Sequence, residues 1–179
     1  ELGGWDAPWG IEYRIDQLNA LLLLIISSIS TVVLLAADTS IRKEIPADRH
    51  TVFYILYLLS LAAMLGIVAT GDAFNIFVFL EISSLSAYAL IALGKDRRAL
   101  WASFQYLIMG TIGATFILIG IGLMYQMTGT LNIEDLSMRL PEVAQTRTVF
   151  TAFAFVIVGV CLKLAMFPLH LWLPNAYAY

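Results

Sequence analysis

The sequence predicts an all-α fold: a polytopic membrane helix bundle of about five transmembrane helices, the last broken at Pro168, preceded by an N-terminal interfacial hairpin. Three observations predict it. Hydrophobic residues make up 60% of the 179 residues and charged residues only 13%, far below the roughly 25% charged composition of soluble domains. The apolar residues fall in runs of about 20, the length at which a helix crosses a hydrocarbon core of about 30 Å. Polar stretches bearing glycine or proline separate those runs. The net charge of −3 resides in these connections, so no basic face argues for nucleic acid. One cysteine, Cys161, and two distant histidines, His50 and His170, offer no disulfide and no metal-ligand or iron–sulfur spacing. No cofactor and no metal are expected, and any redox chemistry belongs elsewhere.

Residues Glu1 to Asp16 carry Trp5, Trp9 and Tyr13, and Ile11, Tyr13 and Ile15 alternate with Glu12, Arg14 and Asp16 at the period of a short strand. This predicts an interfacial strand or hairpin. Asp16 then caps a first helix, Leu18 to Ala37, which has no charge at all. A loop from Asp38 to His50, with Arg42, Lys43, Arg49 and Pro46, leads to a second span, Val52 to Ala69, and the tight turn Thr70-Gly71-Asp72. The third span is Ala73 to Leu93. After the basic loop Gly94–Arg98 comes a fourth, Ala99 to about Met127, in which Gly110, Gly113, Gly120, Gly122 and Ala114 permit close helix packing. Asn132, followed by Glu134 and Asp135, caps a short amphipathic helix with Ile133, Leu136 and Leu140 on one side; Pro141 is expected to end it, and it is expected to lie on the membrane surface. The fifth run is Val149 to Phe167. Arg42, Lys43, Arg49, Lys95, Arg97 and Arg98 fall on one face of this arrangement, and Arg14, Arg139 and Arg147 on the other. The positive-inside rule therefore puts loops 38–50 and 94–98 in the cytoplasm, for a multi-pass protein of the inner (plasma) membrane.

Two charges interrupt the apolar runs. Glu81 lies two residues from the centre of the third span, where a charged side chain costs about 2.5 to 3.5 kcal/mol, so it must be neutral or face protein, water or a cation. Two readings stand: a functional carboxylate, or a carboxyl kept neutral by Ser84 and Tyr88, which share its helical face. Lys163 lies in the fifth run ahead of Pro168 and Pro174. Proline lacks an N–H and collides with the carbonyl four residues back, so the Lys163 helix must bend or break near Leu164, which at membrane depth is tolerated only beside protein or water. Lys163 is either part of a hydrated path along a discontinuous helix or a side chain snorkelling to the cytoplasmic interface.

The run Thr70-Gly-Asp72-Ala-Phe-Asn-Ile-Phe-Val-Phe-Leu-Glu81 and the run Lys163-Leu-Ala-Met-Phe-Pro168-Leu-His170-Leu-Trp172-Leu-Pro174-Asn-Ala-Tyr177 resemble signatures of the antiporter-like proton-translocating membrane subunits. That family joins the Mrp-type sodium/proton antiporters to the membrane arms of respiratory complex I and membrane-bound hydrogenases. Within it, the first run is most similar to the Mrp D subunit. The resemblance covers the whole chain. It implies that Glu81 and Lys163 carry protons at mid-membrane, with burial disfavouring the lysine's charge and an ionised Glu81 restoring it. Pro168, His170, Trp172 and Asp72 are implied as relay or structural residues. The partners implied are other membrane subunits of a multi-subunit complex, and the ions are protons and Na+ or another monovalent cation.

Family members carry a second, inverted repeat with its own lysine and acid, which is not present up to Tyr179. With a start at Glu1 rather than methionine, this leads us to expect one membrane domain, residues 1–179, forming the first repeat of a longer subunit. The first functional reading is a subunit of a Na+/proton antiporter, a transporter rather than an enzyme. The second is a pumping subunit of a redox complex, NADH:quinone oxidoreductase or hydrogenase. The third is a membrane subunit with a purely structural role.

Overall fold

The computed structural model describes residues 4–178. Five helices begin where a short polar side chain satisfies free N–H groups of a first turn. Asp16 accepts from the Asn19 N–H at 2.9 Å and starts α1, Gln17–Glu44. Asp72 accepts from Asn75 at 2.7 Å and starts α3, Ala73–Ala92. Asp96 starts α4, Arg97–Thr128, which Gly129 closes at φ 73. Asn132 accepts from both Glu134 and Asp135 at the head of α5, Ile133–Val143, and Thr146 caps α6, Arg147–Lys163. Helix α2, His50–Ala69, follows a 3-10 turn at Ala47–Arg49 without a side-chain cap, and α7 is Trp172–Ala178. Of these, α1, α2, α3 and α4 are long and apolar enough to cross a membrane. The fifth run is divided: α6 stops at Lys163 and α7 resumes at Trp172.

Three expectations are corrected. The N-terminal segment forms no hairpin among the described residues, while residues 1–3 lie outside them. A turn at Asp6–Gly10 is followed by an extended stretch in which Tyr13 bridges Thr70, with Arg14 donating to the Ala69 carbonyl and Gly71 to that of Glu12. The alternation finds its partner in the α2–α3 turn rather than in a second local strand. The loop after the first span is shorter than predicted because α1 runs on to Glu44; no glycine or proline interrupts it before Pro46. Arg42 pairs with Asp38 one turn back at 3.0 Å, and a basic last turn suits the helix C-terminus. Pro141 lies inside α5, which continues to Val143; near a C-terminal end, proline forfeits one bond without preventing a last turn.

Helix α4 is the centre of the packing, lying against α3, α6 and α7. Its closest crossing is with α6, where glycines meet: a Cβ on Gly159 would lie 2.5 Å from the Gly113 carbonyl oxygen and 2.9 Å from the Ile117 nitrogen. Both obstacles are backbone atoms and cannot rotate away. Gly159→Ala is therefore expected to destabilise the assembled protein by about 1–3 kcal/mol through overpacking, read as a lower midpoint of thermal unfolding in detergent.

The two ends of the bundle are chemically distinct. At one, Lys95 donates to the Lys43 carbonyl at 2.8 Å, joining the two basic connections. At the other, Arg14 pairs with Glu134, Glu12 accepts from Asn132 at 2.7 Å, and Asp72 bridges Asn132. There Arg139 bonds Asp135, one turn back, and holds that carboxyl below the usual range.

Candidate functional site

The site is built by α3 and α6 across α4. Ala73 donates to Leu131 and Ile133 to Gly71, so Asp72 ties the start of α3 to the start of α5. Burial pushes the Asp72 carboxyl up, against the donation of the Asn75 and Phe74 N–H groups. With α3 pinned at that end, Glu81 is carried about 13 Å further along the helix. Asp72 is thus an anchor of the helix and stands apart from the charge at its middle.

Lys163 is the last residue of α6, and the way that helix ends determines where its ammonium lies. Leu164 is the cap, Ala165 adopts φ 51, Ala165 donates to the Leu162 carbonyl at 3.2 Å and Met166 to that of Cys161 at 3.0 Å. This is a Schellman motif with alanine at the left-handed position that glycine normally takes. The chain has therefore left the helix before Pro168 is reached. Pro168 lies in the 164–171 connection, lining an apolar cavity of about 430 Å³ with Trp101 and Trp172, so Pro168→Ala is not expected to close the helix. Ala165→Gly relieves the left-handed alanine and is expected to stabilise the protein by up to about 1 kcal/mol. An unchanged or lowered unfolding midpoint would contradict this.

The Lys163 ammonium donates to Glu81 Oε1 at 2.8 Å and to Ser84 Oγ at 2.7 Å. The side chains are 12% and 25% exposed for Lys163 and Glu81, so the pair is largely withdrawn from solvent. Its directness removes two of the alternatives left by the sequence. Lys163 does not extend toward an interface. Ser84 does not serve as donor to Glu81; it donates to the Leu80 carbonyl at 2.8 Å and accepts from Lys163. Tyr88, one turn beyond Ser84, is buried, and its hydroxyl has no hydrogen-bond partner among the described residues.

Trp172 is buried and donates its indole N–H to the Leu162 carbonyl at 3.2 Å, beside Lys163. Its ring stacks on Tyr106 of α4 at 4.3 Å, and Tyr106 meets Tyr88 edge-on at 4.6 Å. The Leu162 carbonyl, which also accepts from Ala165, is thus bonded by Trp172 and not by His170, whose ring packs on Phe167 and whose Nδ1 is buried without a partner among the described residues. His170 bonds neither Glu81 nor Lys163 among the described residues. Sequence reasoning missed Tyr106, Ala165 and Gly159. Only Gly159 had a signal, a small residue one turn before Lys163 on the same helical face.

An ion pair with a hydroxyl, at the end of a broken helix and within an apolar bundle, can hold, release and re-accept a proton. Comparison with known proteins gives the family of the chain. Residues 70–179 match the family described as "NADH:quinone oxidoreductase/Mrp antiporter, TM". The chain is 46% identical over 178 residues to NADH-quinone oxidoreductase subunit N of Desulforudis audaxviator, a match that covers 99% of this chain and 35% of the relative. It is 34% identical over 176 residues to the D subunit of the Na(+)/H(+) antiporter of Bacillus subtilis, covering 98% of this chain and 35% of that protein. Among solved structures it is similar to the membrane-bound sulfane sulfur reductase, an archaeal respiratory membrane complex, with a TM-score of 0.90 and 39% identity over 98% of this chain and 35% of that one. It is also similar to respiratory complex I from Thermus thermophilus, with a TM-score of 0.69 and 28% identity over 97% of this chain and 36% of that one. The chain thus spans about a third of the length of these relatives. With both signature runs inside the matched residues, this chain belongs to the NADH:quinone oxidoreductase/Mrp antiporter transmembrane family.

Proposed function

We propose that the chain is the proton-carrying repeat of an antiporter-like membrane subunit that works in a multi-subunit complex and exchanges protons for Na+ or another monovalent cation. The observation that carries this reading is the direct contact of Lys163 with Glu81 and Ser84 inside the bundle. A lysine shared between a carboxylate and a hydroxyl has one partner that stabilises its charge and another that can serve either protonation state. Movement or neutralisation of Glu81, by a neighbouring subunit or by a proton, then changes whether Lys163 keeps its proton. Pro168, His170 and Asp72 act on this site as supports of the backbone. The chain acts as one repeat of a longer subunit, a reading supported by the share of its relatives that it spans. Connections 38–50 and 94–98 face the cytoplasm of a cell with the subunit in its plasma membrane; the excess of lysine and arginine at that end supports this.

A second reading, redox-driven pumping through the same site, is favoured by the 46% identity to NADH-quinone oxidoreductase subunit N of Desulforudis audaxviator against 34% to the antiporter D subunit of Bacillus subtilis. Inverted vesicles holding the assembled complex separate the two. Under the first reading a sodium pulse moves protons without any electron donor, and under the second an electron donor moves protons without sodium. Loss of both activities in Lys163→Ala is expected under either. Unimpaired transport by a well-assembled Lys163→Ala complex would overturn both.

A further inference from the structure

The buried hydroxyl of Tyr88 is a feature near Lys163 that the proton-carrying role leaves unexplained. Tyr88 is 5% exposed, and its phenol oxygen finds no partner among the described residues. A buried polar group without a partner calls for a reason. The slot it occupies exists only because residue 110 is glycine: a Cβ there would lie 1.9 Å from the phenol oxygen. Tyr88 stands one helical turn from Ser84 on the same face of α3, and the geometry between the two hydroxyls does not complete a hydrogen bond.

The bonding capacity of the three groups shows what this arrangement suits. An ammonium has three donors and no acceptor, whereas a neutral amine has a lone pair. In the present state the ammonium donates to Ser84 Oγ, and Ser84 turns its own proton to the Leu80 carbonyl. Tyr88 has a proton to give and, among the described residues, nothing to receive it. We propose that Ser84 and Tyr88 form a second seat for Lys163, one that holds its neutral amine. When Lys163 has given up its proton, the Ser84 hydroxyl rotates from Leu80 to donate to the amine nitrogen, and the Tyr88 hydroxyl donates to the Ser84 oxygen. The Ser84 and Tyr88 protons then both have acceptors. No bond other than hydrogen bonds changes at Ser84 or Tyr88, and the proton leaving Lys163 goes to water or to Glu81. Since hydrogen bonds made only to the neutral form favour that form, Tyr88 acts through Ser84 as a positioning residue that eases proton release.

This inference rests on the reading of Lys163 as the proton carrier. Besides Lys163, Glu81 and Tyr88, titratable groups on the elements around the pair are Tyr106 on α4, Cys161 on α6, His170 in the connection after α6 and Tyr177 on α7; Glu81 alone of the titratable groups bonds Lys163 among the described residues. Tyr88→Phe is the clean variant, because it keeps the ring on Tyr106 and deletes only the unpaired donor, while Ser84→Ala also removes an acceptor of the ammonium. In vesicles carrying the full complex, the pH dependence of proton movement is measured for wild type, Tyr88→Phe and Lys163→Ala. The expected result is a Tyr88→Phe profile displaced toward alkaline pH by about one unit, a tenfold change in proton occupancy, with the complex assembled and at least as heat-stable as wild type. A Tyr88→Phe profile superimposable on wild type while Lys163→Ala is inactive overturns the second seat and leaves the carrier role standing. Activity in Lys163→Ala overturns the carrier role itself, and the second seat with it.

Discussion

Lys163→Arg in the full-length subunit is expected to stop proton movement almost as completely as Lys163→Ala, by a factor on the order of 10² or more, the contribution typical of a positioned proton-transfer group. The geometry makes the arginine variant the more informative of the two. Both partners of Lys163, Glu81 Oε1 and Ser84 Oγ, are acceptors toward a cation, so a guanidinium can remain paired and the complex can assemble. Arginine, however, keeps its proton throughout the physiological range and cannot cycle between forms. Loss of transport with assembly intact therefore isolates proton exchange from mere positive charge. Near-wild-type turnover in Lys163→Arg would mean that Lys163 serves as a fixed charge, and the carrier role would be lost. Glu81→Gln belongs to the same test, since it removes charge at nearly constant shape and leaves an amide oxygen to accept from the ammonium.

Much of the scaffold was legible because its signals are local. Asp16 and Asn132 are caps ahead of α1 and α5 as expected, and of the α4 glycines Gly110, Gly113 and Gly120 lie against neighbouring helices while Gly122 faces open space. The two chemical residues were legible for a different reason: a charge within an apolar run needs a partner, so each announced itself. Their contact was not legible, because it joins residues 82 apart in the sequence through the packing of α4 between their helices. The N-terminal alternation misled because its bridge to Thr70 is equally non-local. The end of α6 was half legible. Pro168 marked a break, but the residue that turns the chain is Ala165, in a conformation for which glycine is the usual sign. The role of Ser84 was hidden by its ordinary place on the face of α3, where bonding to Glu81 was as reasonable as bonding to a lysine from another helix.

The largest effect on stability is expected when one member of the ion pair is removed alone. Lys163 and Glu81 are 12% and 25% exposed, too little for water to replace a lost partner. Glu81→Leu strands the ammonium among apolar neighbours with Ser84 as its remaining acceptor, and Lys163→Met strands the carboxylate. Each is expected to cost about 3 kcal/mol or more, the usual penalty for an uncompensated buried charge. The double variant Glu81→Leu/Lys163→Met removes both charges at similar volume. Replacing a whole buried pair by packed apolar groups is close to neutral, so the double variant is expected within about 1 kcal/mol of wild type and well above either single one. Thermal unfolding of the purified complex gives the four corners of the cycle, and vesicle assays run alongside should find all three variants inactive. A double variant as unstable as either single one would show that the pair holds the bundle together, and one as unstable as their sum would show that the two residues act independently. Recovery of stability without recovery of transport would show that the two charges are kept within the membrane for proton movement, at the expense of stability that an apolar pair could supply as well.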